Sequence, residues 1–286
     1  MHNETIWADW NGEICNLDDV KVSPLDRGFL FGDSVYEGIR VYNGRIWLID
    51  QHMNRLRNSL DGVRITFETS SVIQRCENLI NEKKLLNGFL YVQITRGVGP
   101  RTHSPPPNLK PNCLIFFLDL TNDPYEEKRN SGVTARTQLD TRWKMCQFKT
   151  TNLLGNVLAQ QQSQEQGYSE TILISEETNG VTESTHANVF CVSNKTISTP
   201  SLSTNILPGV TRQFIIQMAR ELDFNILEKE IPKPDLFSAD EVFLTGTMTQ
   251  VLPIIEIDHK KIGTGEPGPI SLEILNHFRN RTMGRQ

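Results

Sequence analysis

The sequence predicts an α+β fold divided into two domains. With 286 residues the chain exceeds a single small core, so one large domain or two modest ones are expected. Short alternating apolar runs and amphipathic runs with helical spacing are mixed along both halves. The polar segment from Thr121 to Gly132, which contains Pro124, is the best candidate for a break between them. The predicted organisation is a small N-terminal α+β domain at 1–120, an interdomain linker at 121–133 and a larger C-terminal domain at 134–286.

In the N-terminal half, turn and cap residues predict hairpins followed by two helices. Asn11-Gly12 and Asn43-Gly44 are hairpin-turn sequences within short alternating runs over 5–49. Asp50 is expected to cap a helix that ends at Gly62. The next predicted elements are a helix at 71–86 and strands at 89–95 and 113–119.

In the C-terminal half, strands and helices are mixed. Gly167 ends one predicted helix, and Pro208-Gly209 precedes another. Asn179-Gly180 predicts a turn between two strands. The predicted helices span 151–166, 211–222 and 271–281, and the predicted strands span 171–175, 187–192 and 241–244.

Composition excludes several classes of function. The formal net charge is −5 and the isoelectric point is about 5.7, which argues against nucleic acid or an anionic membrane as the main partner. The longest apolar runs, such as 113–118, are too short to span a bilayer. Met1-His2-Asn3-Glu4 lacks the charged start of a secretory signal, and the widely spaced cysteines fit reduced thiols, so a cytoplasmic protein is predicted. The sequence contains no HExxH motif or paired Cys/His spacing that would predict a metal site.

The most informative local feature is the stretch from Thr95 to His103. It follows an alternating strand, and the Gly99-Pro100 turn is expected to present Arg101 and His103 on a loop. The two side chains would form a compact cationic clamp, because an arginine fork binds a carboxylate through two hydrogen bonds. An exposed loop pair without such a role is the alternative.

Lys149 and Glu183 are candidates for cofactor chemistry. Lys149 follows Phe148 and precedes the apolar pair at 153–154, at the expected start of a helix. Partial desolvation there would free its amine for Schiff base formation. Glu183 lies beside an apolar strand, where its carboxylate could keep a pyridinium nitrogen charged. A solvated lysine and an exposed loop carboxylate are the alternatives on local grounds.

The segment from Leu207 to Arg212 opens a predicted helix. The backbone amides of Val210 and Thr211 would point at an anion, which the helix dipole also favours. Thr211 as an ordinary N-cap is the alternative. On its own helix, periodicity alone makes Arg55 a solvated arginine.

These features occur in an order that resembles the class IV, or fold type IV, pyridoxal phosphate (PLP) transaminases. The resemblance runs from about Trp7 to Met283 and implies the two-domain fold of that family, with PLP bound by the larger C-terminal domain. The matching motifs begin at Val35 (VYEGIRVYNG), His52 (HMNRL), Lys149 (KTTN), Thr182 (TESTHANVF), Leu207 (LPGVTR) and Leu244 (LTGT).

The resemblance also implies roles for single residues. The lysine matching Lys149 forms the Schiff base with the cofactor and moves the proton between the substrate α-carbon and the cofactor. The glutamate matching Glu183 pairs with the pyridine nitrogen. Tyr168 resembles the tyrosine that hydrogen-bonds the PLP 3′-oxygen in branched-chain members. The residues that match the phosphate-binding set are Arg55, Val210, Thr211 and Thr247.

The residues on the substrate side resemble two subgroups. Tyr36, Arg101 and His103 are similar to the D-amino-acid transaminases, in which they grip the substrate α-carboxylate and the Arg-x-His loop reaches over from the partner subunit. A homodimer with a shared active site is therefore implied. Gly38 and Arg40 belong to a motif more like that of the branched-chain L-specific subgroup, and they are expected to line or adjoin the substrate pocket.

The resemblance therefore implies a D-amino-acid transaminase that works by ping-pong half-reactions. It would move amino groups between D-amino acids, such as D-alanine and D-glutamate, and 2-oxo acids, such as pyruvate and 2-oxoglutarate. The carboxylate clamp favours this subgroup, because it fixes which way the α-carbon is held. A branched-chain L-amino-acid aminotransferase and an (R)-amine transaminase are alternatives, and an aminodeoxychorismate lyase on the same fold is another.

Overall fold

The computed structural model describes residues 5–284, which form two compact units. The first unit takes the described residues up to Asn122 together with Phe148–Asn152, and the second takes Asp123–Gln147 and the residues from Leu153 onward. The boundary after Asn122 falls inside the predicted linker. Met1–Glu4, which bear on the predicted lack of a secretory signal, and Arg285 and Gln286 of the larger predicted domain lie outside the described residues.

Residues 148–152, which the sequence assigns to the larger domain, lie in the first unit instead. Thr150 forms an isolated antiparallel bridge with Val35. The amide of Tyr36 donates to the carbonyl oxygen of Lys149 at 2.9 Å. Backbone pairing, rather than position along the chain, therefore decides where this short segment belongs.

The first unit is built on one antiparallel sheet. Its strands are β1 (Trp7–Trp10), β2 (Glu13–Asn16), β3 (Ser34–Tyr42), β4 (Arg45–Ile46), β5 (Gly88–Thr95) and β6 (Asn112–Asp119), and its helices are α1 (Arg27–Phe31), α2 (Ile49–Gly62) and α3 (Ser70–Lys83). A short 3-10 helix spans Leu17–Asp19. The strand order is β2-β1-β6-β5-β3-β4.

One face of this sheet forms the core of the unit. Val35 and Ile39 of β3 are fully buried in an apolar cluster with residues of α2 and α3. Successive side chains of a strand point to opposite faces, so Tyr36, Gly38 and Arg40 share the other face. The residues predicted to meet the substrate thus lie on the face of β3 that the helices do not cover.

Two helix starts in this unit differ from the prediction. The N-cap of α2 is Leu48, in the left-handed region at φ 53°, and Asp50 lies in the first turn, where its charge suits the helix dipole. Helix α1 was not predicted, because it has a single turn and no apolar period. The Asp26 side chain accepts from the Gly28 amide at 2.7 Å at its start, and Gly32 ends it at φ 63°.

The second unit is built on a nine-stranded sheet. Its strands are β7 (Val133–Leu139), β8 (Glu170–Ile174), β9 (Val181–Ser184), β10 (Asn188–Ser193), β11 (Thr196–Thr199), β12 (Asn225–Glu228), β13 (Glu241–Gly246), β14 (Gln250–Ile257) and β15 (Lys260–Lys261). Its helices are α4 (Glu126–Ser131), α5 (Leu154–Glu165), α6 (Val210–Glu221), α7 (Lys233–Ser238) and α8 (Pro269–Thr282). The order is β12-β11-β10-β13-β14-β7-β8-β9, with β15 paired to β14.

Both faces of this sheet are buried. Val189 belongs to one apolar cluster, and its neighbour Phe190 belongs to a second cluster that includes residues of α6 and α8. Neighbours on a strand point to opposite faces, so the central strands read as continuous apolar runs. Among the helices within residues 5–284, none is long and apolar enough to cross a membrane.

The predicted interdomain linker at 121–133 contains helix α4 and the start of β7 rather than an irregular connection. Arg129 of α4 is fully buried. Its guanidinium donates to the carboxylate of Asp123 at 2.9 Å and to the carbonyl oxygens of Met248 and Thr249, each at 2.9 Å. One of the polar residues that suggested a linker, Arg129, is therefore the centre of a buried hydrogen-bond network.

Candidate active site

Lys149 lies in an extended segment of the first unit, not at the start of a helix as predicted. Helix α5 begins only at Leu154. The Lys149 amide donates to the buried Ser59 Oγ at 3.0 Å. Its half-buried side chain brings Nζ to 3.3 Å from the Tyr36 hydroxyl and 4.4 Å from the centroid of that ring. Since the backbone is held on both sides, the amine has a defined position beside a phenol.

Arg55 is buried against Glu37, so the expectation of a solvated arginine from periodicity is wrong. Its Nε and Nη2 donate to the two Glu37 oxygens, each at 2.8 Å. Burial alone would raise the pKa of Glu37, but the charge and hydrogen bonds of Arg55 outweigh it and lower that pKa to about 2. A buried carboxylate therefore fixes the arginine that the family resemblance assigns to phosphate binding.

His52 completes this buried group. Its Nδ1 lies 2.7 Å from Oε2 of Glu37. Burial lowers the pKa of His52 despite the neighbouring carboxylate, so the imidazole is neutral at pH 7 and donates Nδ1–H to Glu37. Glu37 thus accepts hydrogen bonds from two side chains of α2 at once.

Tyr36, Gly38 and Arg40 form a row along β3. The Tyr36 ring stacks on Tyr91 of β5 with centroids 5.6 Å apart. A Cβ atom on Gly38 would lie 2.4 Å from the Phe89 ring, so a larger residue there would force that ring to move. Arg40 is 5% exposed. Aromatic rings of the neighbouring strand therefore shape the face on which the substrate is expected.

Arg101 and His103 are exposed on the loop after β5, as the Gly-Pro turn predicts. The guanidinium carbon of Arg101 lies 5.5 Å from the centroid of the Phe31 ring. The imidazole of His103 lies 6.0 Å from the same centroid. Both side chains of the predicted clamp therefore meet a single aromatic ring of α1.

Glu183 is a buried carboxylate of the second unit rather than an exposed loop acid. Oε1 accepts a hydrogen bond from Nη1 of Arg142, and Oε2 accepts from the amide of Leu207 at 3.1 Å. Burial raises the pKa of Glu183, and Arg142 works against that rise. Arg142 also donates to the Asp140 carboxylate from Nε at 2.9 Å and from Nη2 at 2.7 Å.

The segment that leads into α6 is hydrogen-bonded to Glu183 through the amide of Leu207. Gly209 is the N-cap, so Thr211 is a residue of the first turn rather than the cap. The amides of Val210 and Thr211 have no acceptor within the helix, because the first turn of a helix offers none. Asn188 Nδ2 donates to the Leu207 carbonyl oxygen at 3.0 Å. A Cβ atom on Gly209 would lie 2.0 Å from Asn188 Oδ1, so close approach requires glycine there.

Thr247 lies in the turn between β13 and β14. Asn188 pairs with Thr245 two residues earlier, which joins this turn to the Glu183 cluster. The buried hydroxyls of Thr245 and Thr249 have no hydrogen-bond partner within the described part of the chain. Helix-start amides and spare hydroxyls are donors suited to a phosphate.

Tyr168 lies apart from the cluster of Glu183, the start of α6 and the Thr247 turn. Its ring lies 5.2 Å from that of His259, in the turn after β14, whereas Thr247 precedes the start of β14. A strand rises about 3.3 Å per residue, so the ends of this strand are roughly 23 Å apart. Tyr168 therefore lies far from Thr247 and is not part of this cluster.

Four residues that form hydrogen bonds supporting the predicted site residues were not predicted from the sequence. Each has at least one partner 15 or more positions away along the chain, and no local pattern could reveal that contact. Only Asn188 and Glu37 fall inside a motif of the family resemblance, and that motif gave them no role. The four are Glu37, Arg129, Arg142 and Asn188.

Comparisons with known proteins agree with the geometry. Residues 34–257 match the family model described as amino-transferase class IV. A D-alanine aminotransferase of Bacillus licheniformis is 37% identical over 96% of this chain and 96% of its own length, and one of Staphylococcus haemolyticus is 34% identical over 96% and 97%.

Solved structures of branched-chain amino acid aminotransferases share the fold. That of Escherichia coli superposes with a TM-score of 0.90 at 25% identity, covering 99% of this chain and 96% of its own. That of Thermobaculum terrenum, in its PLP form, superposes with a TM-score of 0.89 at 24% identity, covering 99% of this chain and 95% of its own.

Proposed function

Because the chain belongs to the class IV aminotransferase family, whose cofactor is pyridoxal 5′-phosphate, we propose that this transaminase acts on D-amino acids. The observation that carries the proposal is the Arg101–His103 loop, where the arginine and the histidine side chains share one aromatic ring. The D-alanine aminotransferases that are 34–37% identical over nearly the whole chain give it further support. In this proposal the two units correspond to a small N-terminal domain and a larger PLP-binding domain.

The residues present fit a phosphorylated pyridine. The buried Glu183 would face the ring nitrogen, and Arg142 would keep it ionised against the effect of burial. The first-turn amides of Val210 and Thr211 would hold the phosphate, as would the Thr247 turn with its spare neighbouring hydroxyls. Arg55 would contribute a fixed positive charge. Tyr168 is left out of this set because of its position.

Lys149 is the proposed catalytic residue and also the residue that carries the cofactor. Pyridoxal phosphate supplies an electron-accepting ring that stabilises negative charge at the substrate α-carbon. Lys149 Nζ would take the proton from that α-carbon, and the Tyr36 hydroxyl 3.3 Å away would keep the amine oriented. The backbone contacts of Lys149 with Tyr36 and Ser59 limit the movement of the side chain during this transfer.

The proposed substrates are D-alanine and D-glutamate as donors, with pyruvate and 2-oxoglutarate as acceptors. Arg101, His103 and Tyr36 would bind the α-carboxylate, and Gly38 and Arg40 would adjoin the side chain of the substrate. We also propose a homodimer that shares its active sites, and a cytoplasmic location. The exposed apolar side chains of Leu25 and Phe29, 53% and 74% accessible, support an interface beside the loop.

The test compares half-reactions with paired enantiomers. The enzyme loaded with cofactor is mixed with D- or L-alanine, D- or L-glutamate, and L-leucine or L-valine, and the absorbance of the cofactor is followed. We expect conversion with the D-enantiomers to be faster by at least about 100-fold, the scale of about 2.7 kcal/mol in the barrier. Faster conversion with L-leucine or L-valine would overturn the proposal.

A branched-chain L-amino-acid aminotransferase is the second candidate. It is favoured by the structural likeness to branched-chain enzymes and by the row of Gly38 and Arg40 on the face of β3 that the helices do not cover. An Arg101→Ala variant separates the two, because the clamp matters only in the first proposal. Full activity of that variant with L-leucine, together with inactivity toward D-alanine in both proteins, would decide for the second candidate.

A further inference from the structure

We propose that Arg27 is a positioning residue that fixes the loop 101–103 and thereby sets the affinity for the substrate carboxylate and the preference between enantiomers. The inference rests on the proposed function, in which Arg101 and His103 bind that carboxylate. Arg27 belongs to α1 and is 3% exposed, so it would not itself meet the substrate.

The Arg27 guanidinium joins the loop backbone to α1. Nη1 donates to the carbonyl oxygen of Thr102 at 2.7 Å, and Nη2 donates to the carbonyl oxygen of His103 at 3.2 Å. The other hydrogen bonds of Thr102 reach Pro100 and Ser104, so they join the loop only to itself. The position of residues 102 and 103 relative to the sheet therefore depends on this arginine.

The other side of Arg27 is anchored by Asp33. Nε of Arg27 donates to Asp33 Oδ2 at 2.9 Å, and Arg96 donates to both oxygens of the same carboxylate at 2.7 and 2.9 Å. Burial alone would raise the pKa of Asp33, but the two arginines outweigh it and lower that pKa. The anchor is therefore charged at neutral pH, and the guanidinium of Arg27 cannot turn away from the loop without losing it.

The Phe31 ring is contacted by the side chains of Arg27, Arg101 and His103. The guanidinium carbon of Arg27 lies 4.6 Å from the ring centroid, compared with 5.5 Å for Arg101 and 6.0 Å for the His103 ring. Cations are attracted to the face of an aromatic ring, and a guanidinium can stack on it. The ring thus limits where the two exposed side chains lie, while Arg27 fixes their backbone.

A shift of the loop would weaken binding of the substrate carboxylate, because an arginine fork binds a carboxylate through two aligned hydrogen bonds. A lysine in place of Arg27 keeps the charge but offers a point donor instead of a planar fork, so it cannot serve two carbonyls and Asp33 together. Arg27→Lys is therefore the variant that removes the positioning with the least change in charge.

The experiment measures the holoenzymes of wild type, Arg27→Lys and Arg101→Ala with D- and L-alanine, together with hydrogen exchange of the amides at 101–104. For Arg27→Lys we expect KM for D-alanine to rise about tenfold with kcat changed by less than about threefold, a lower D/L ratio, and faster exchange of the loop amides. Arg75→Lys is the matched control, because Arg75 also joins an aspartate to a backbone carbonyl in this unit. It is expected to keep KM and the D/L ratio.

The outcomes separate the inference from the proposed function. If Arg101→Ala raises KM while Arg27→Lys leaves KM, the D/L ratio and loop exchange unchanged, the positioning role is wrong. If Arg101→Ala leaves KM unchanged, the proposed clamp itself is wrong, and the positioning role with it. Should Arg27→Lys not fold, Asp33→Asn removes the charge that anchors Arg27 and leaves Arg27 itself in place. It is then expected to raise KM for D-alanine and to speed exchange of the loop amides, and no change in either would overturn the inference.

Discussion

Arg142 and Glu183 form a buried ion pair in which the guanidinium spans two carboxylates, those of Glu183 and Asp140. The Arg142 side chain is 5% exposed, so its positive charge acts with little screening by solvent. Burial drives Glu183 towards its neutral form and Arg142 opposes that tendency. The ionisation of the acid proposed to face the cofactor nitrogen is therefore set by a residue that would not itself touch the cofactor.

Replacement of Arg142 by methionine should raise the pKa of Glu183 further, because a stabilising positive charge is lost. The ionised acid would then form only at higher pH, so the acid limb of kcat/KM should move upward in pH. At pH 7 the rate should fall about tenfold or more, equivalent to about 1.4 kcal/mol. Lys144→Gln is the control, since Lys144 is exposed and pairs with Glu177. Identical profiles for wild type and Arg142→Met would contradict the role.

Glu37→Gln should destabilise the first unit, because it leaves the Arg55 charge buried without its carboxylate. Breaking a buried pair in this way costs about 3–5 kcal/mol. Urea unfolding at pH 7 measures the loss. Glu82→Gln, at an exposed carboxylate of α3, should change stability by less than about 0.5 kcal/mol. Equal stability of Glu37→Gln and wild type would show that the pair does not stabilise the fold.

Because the pKa of Glu37 is lowered in the folded state, the stability of the protein should depend on pH. The pKa of Glu37 is depressed on folding from 4.5 to about 2, so its contribution is full above pH 4.5 and is lost as the pH falls towards 2. Wild-type stability should therefore decline through this window more steeply than that of Glu37→Gln. Unfolding free energies measured at intervals across this pH window test the prediction, and parallel curves would contradict it.

Arg129→Met should weaken cofactor binding, although Arg129 is proposed to make no contact with the cofactor. Its hydrogen bonds to the carbonyls of Met248 and Thr249 fix the turn that contains Thr247. We expect the dissociation constant of pyridoxal phosphate, titrated into the apoprotein by fluorescence, to rise about tenfold, or about 1.4 kcal/mol. Arg279→Gln is the control. Arg279, in α8, pairs with Glu126, which lies at the surface of α4, the helix that contains Arg129. An unchanged dissociation constant for Arg129→Met would remove the turn from the proposed phosphate site.

Tyr168→Phe should leave the cofactor spectrum unchanged and kcat/KM within about twofold, because Tyr168 lies near His259 at the far end of β14. The absorbance spectrum of the holoenzyme, recorded beside its steady-state rates, is the measurement. A shifted cofactor band or a loss of activity of about tenfold would restore the role that the sequence resemblance implied.

The sequence predicts most long elements well, because their signals are local. Pro208-Gly209 marks the start of α6 within one residue, and alternation marks β5 and β6. Helix α4 could not be found in this way. It has only six residues, and Arg129 reads as a solvated charge until its partners, about 120 positions away, are known.

The sequence predicts which residues belong to the candidate site, but it does not predict how they are arranged in space. Motif order identifies Lys149 and Glu183, but it does not show that Lys149 is extended or that Arg142 holds Glu183. Those facts depend on tertiary pairing. Tyr168 shows the opposite limit, because a match of two or three residues in sequence carries no information about distance in the fold.

Residues 148–152 belong to the first unit, and this affects any attempt to express the two halves of the chain as separate fragments. A fragment that stops at Asn122 would contain β3 without the segment that bridges to Val35, and it would have no amine at position 149. A fragment that starts at Asp123 would carry that amine with neither Tyr36 nor Ser59 to hold it. Neither piece expressed alone can hold the amine proposed to react in its place beside Tyr36, so recovery of activity on mixing the two would report reassembly of this small bridge.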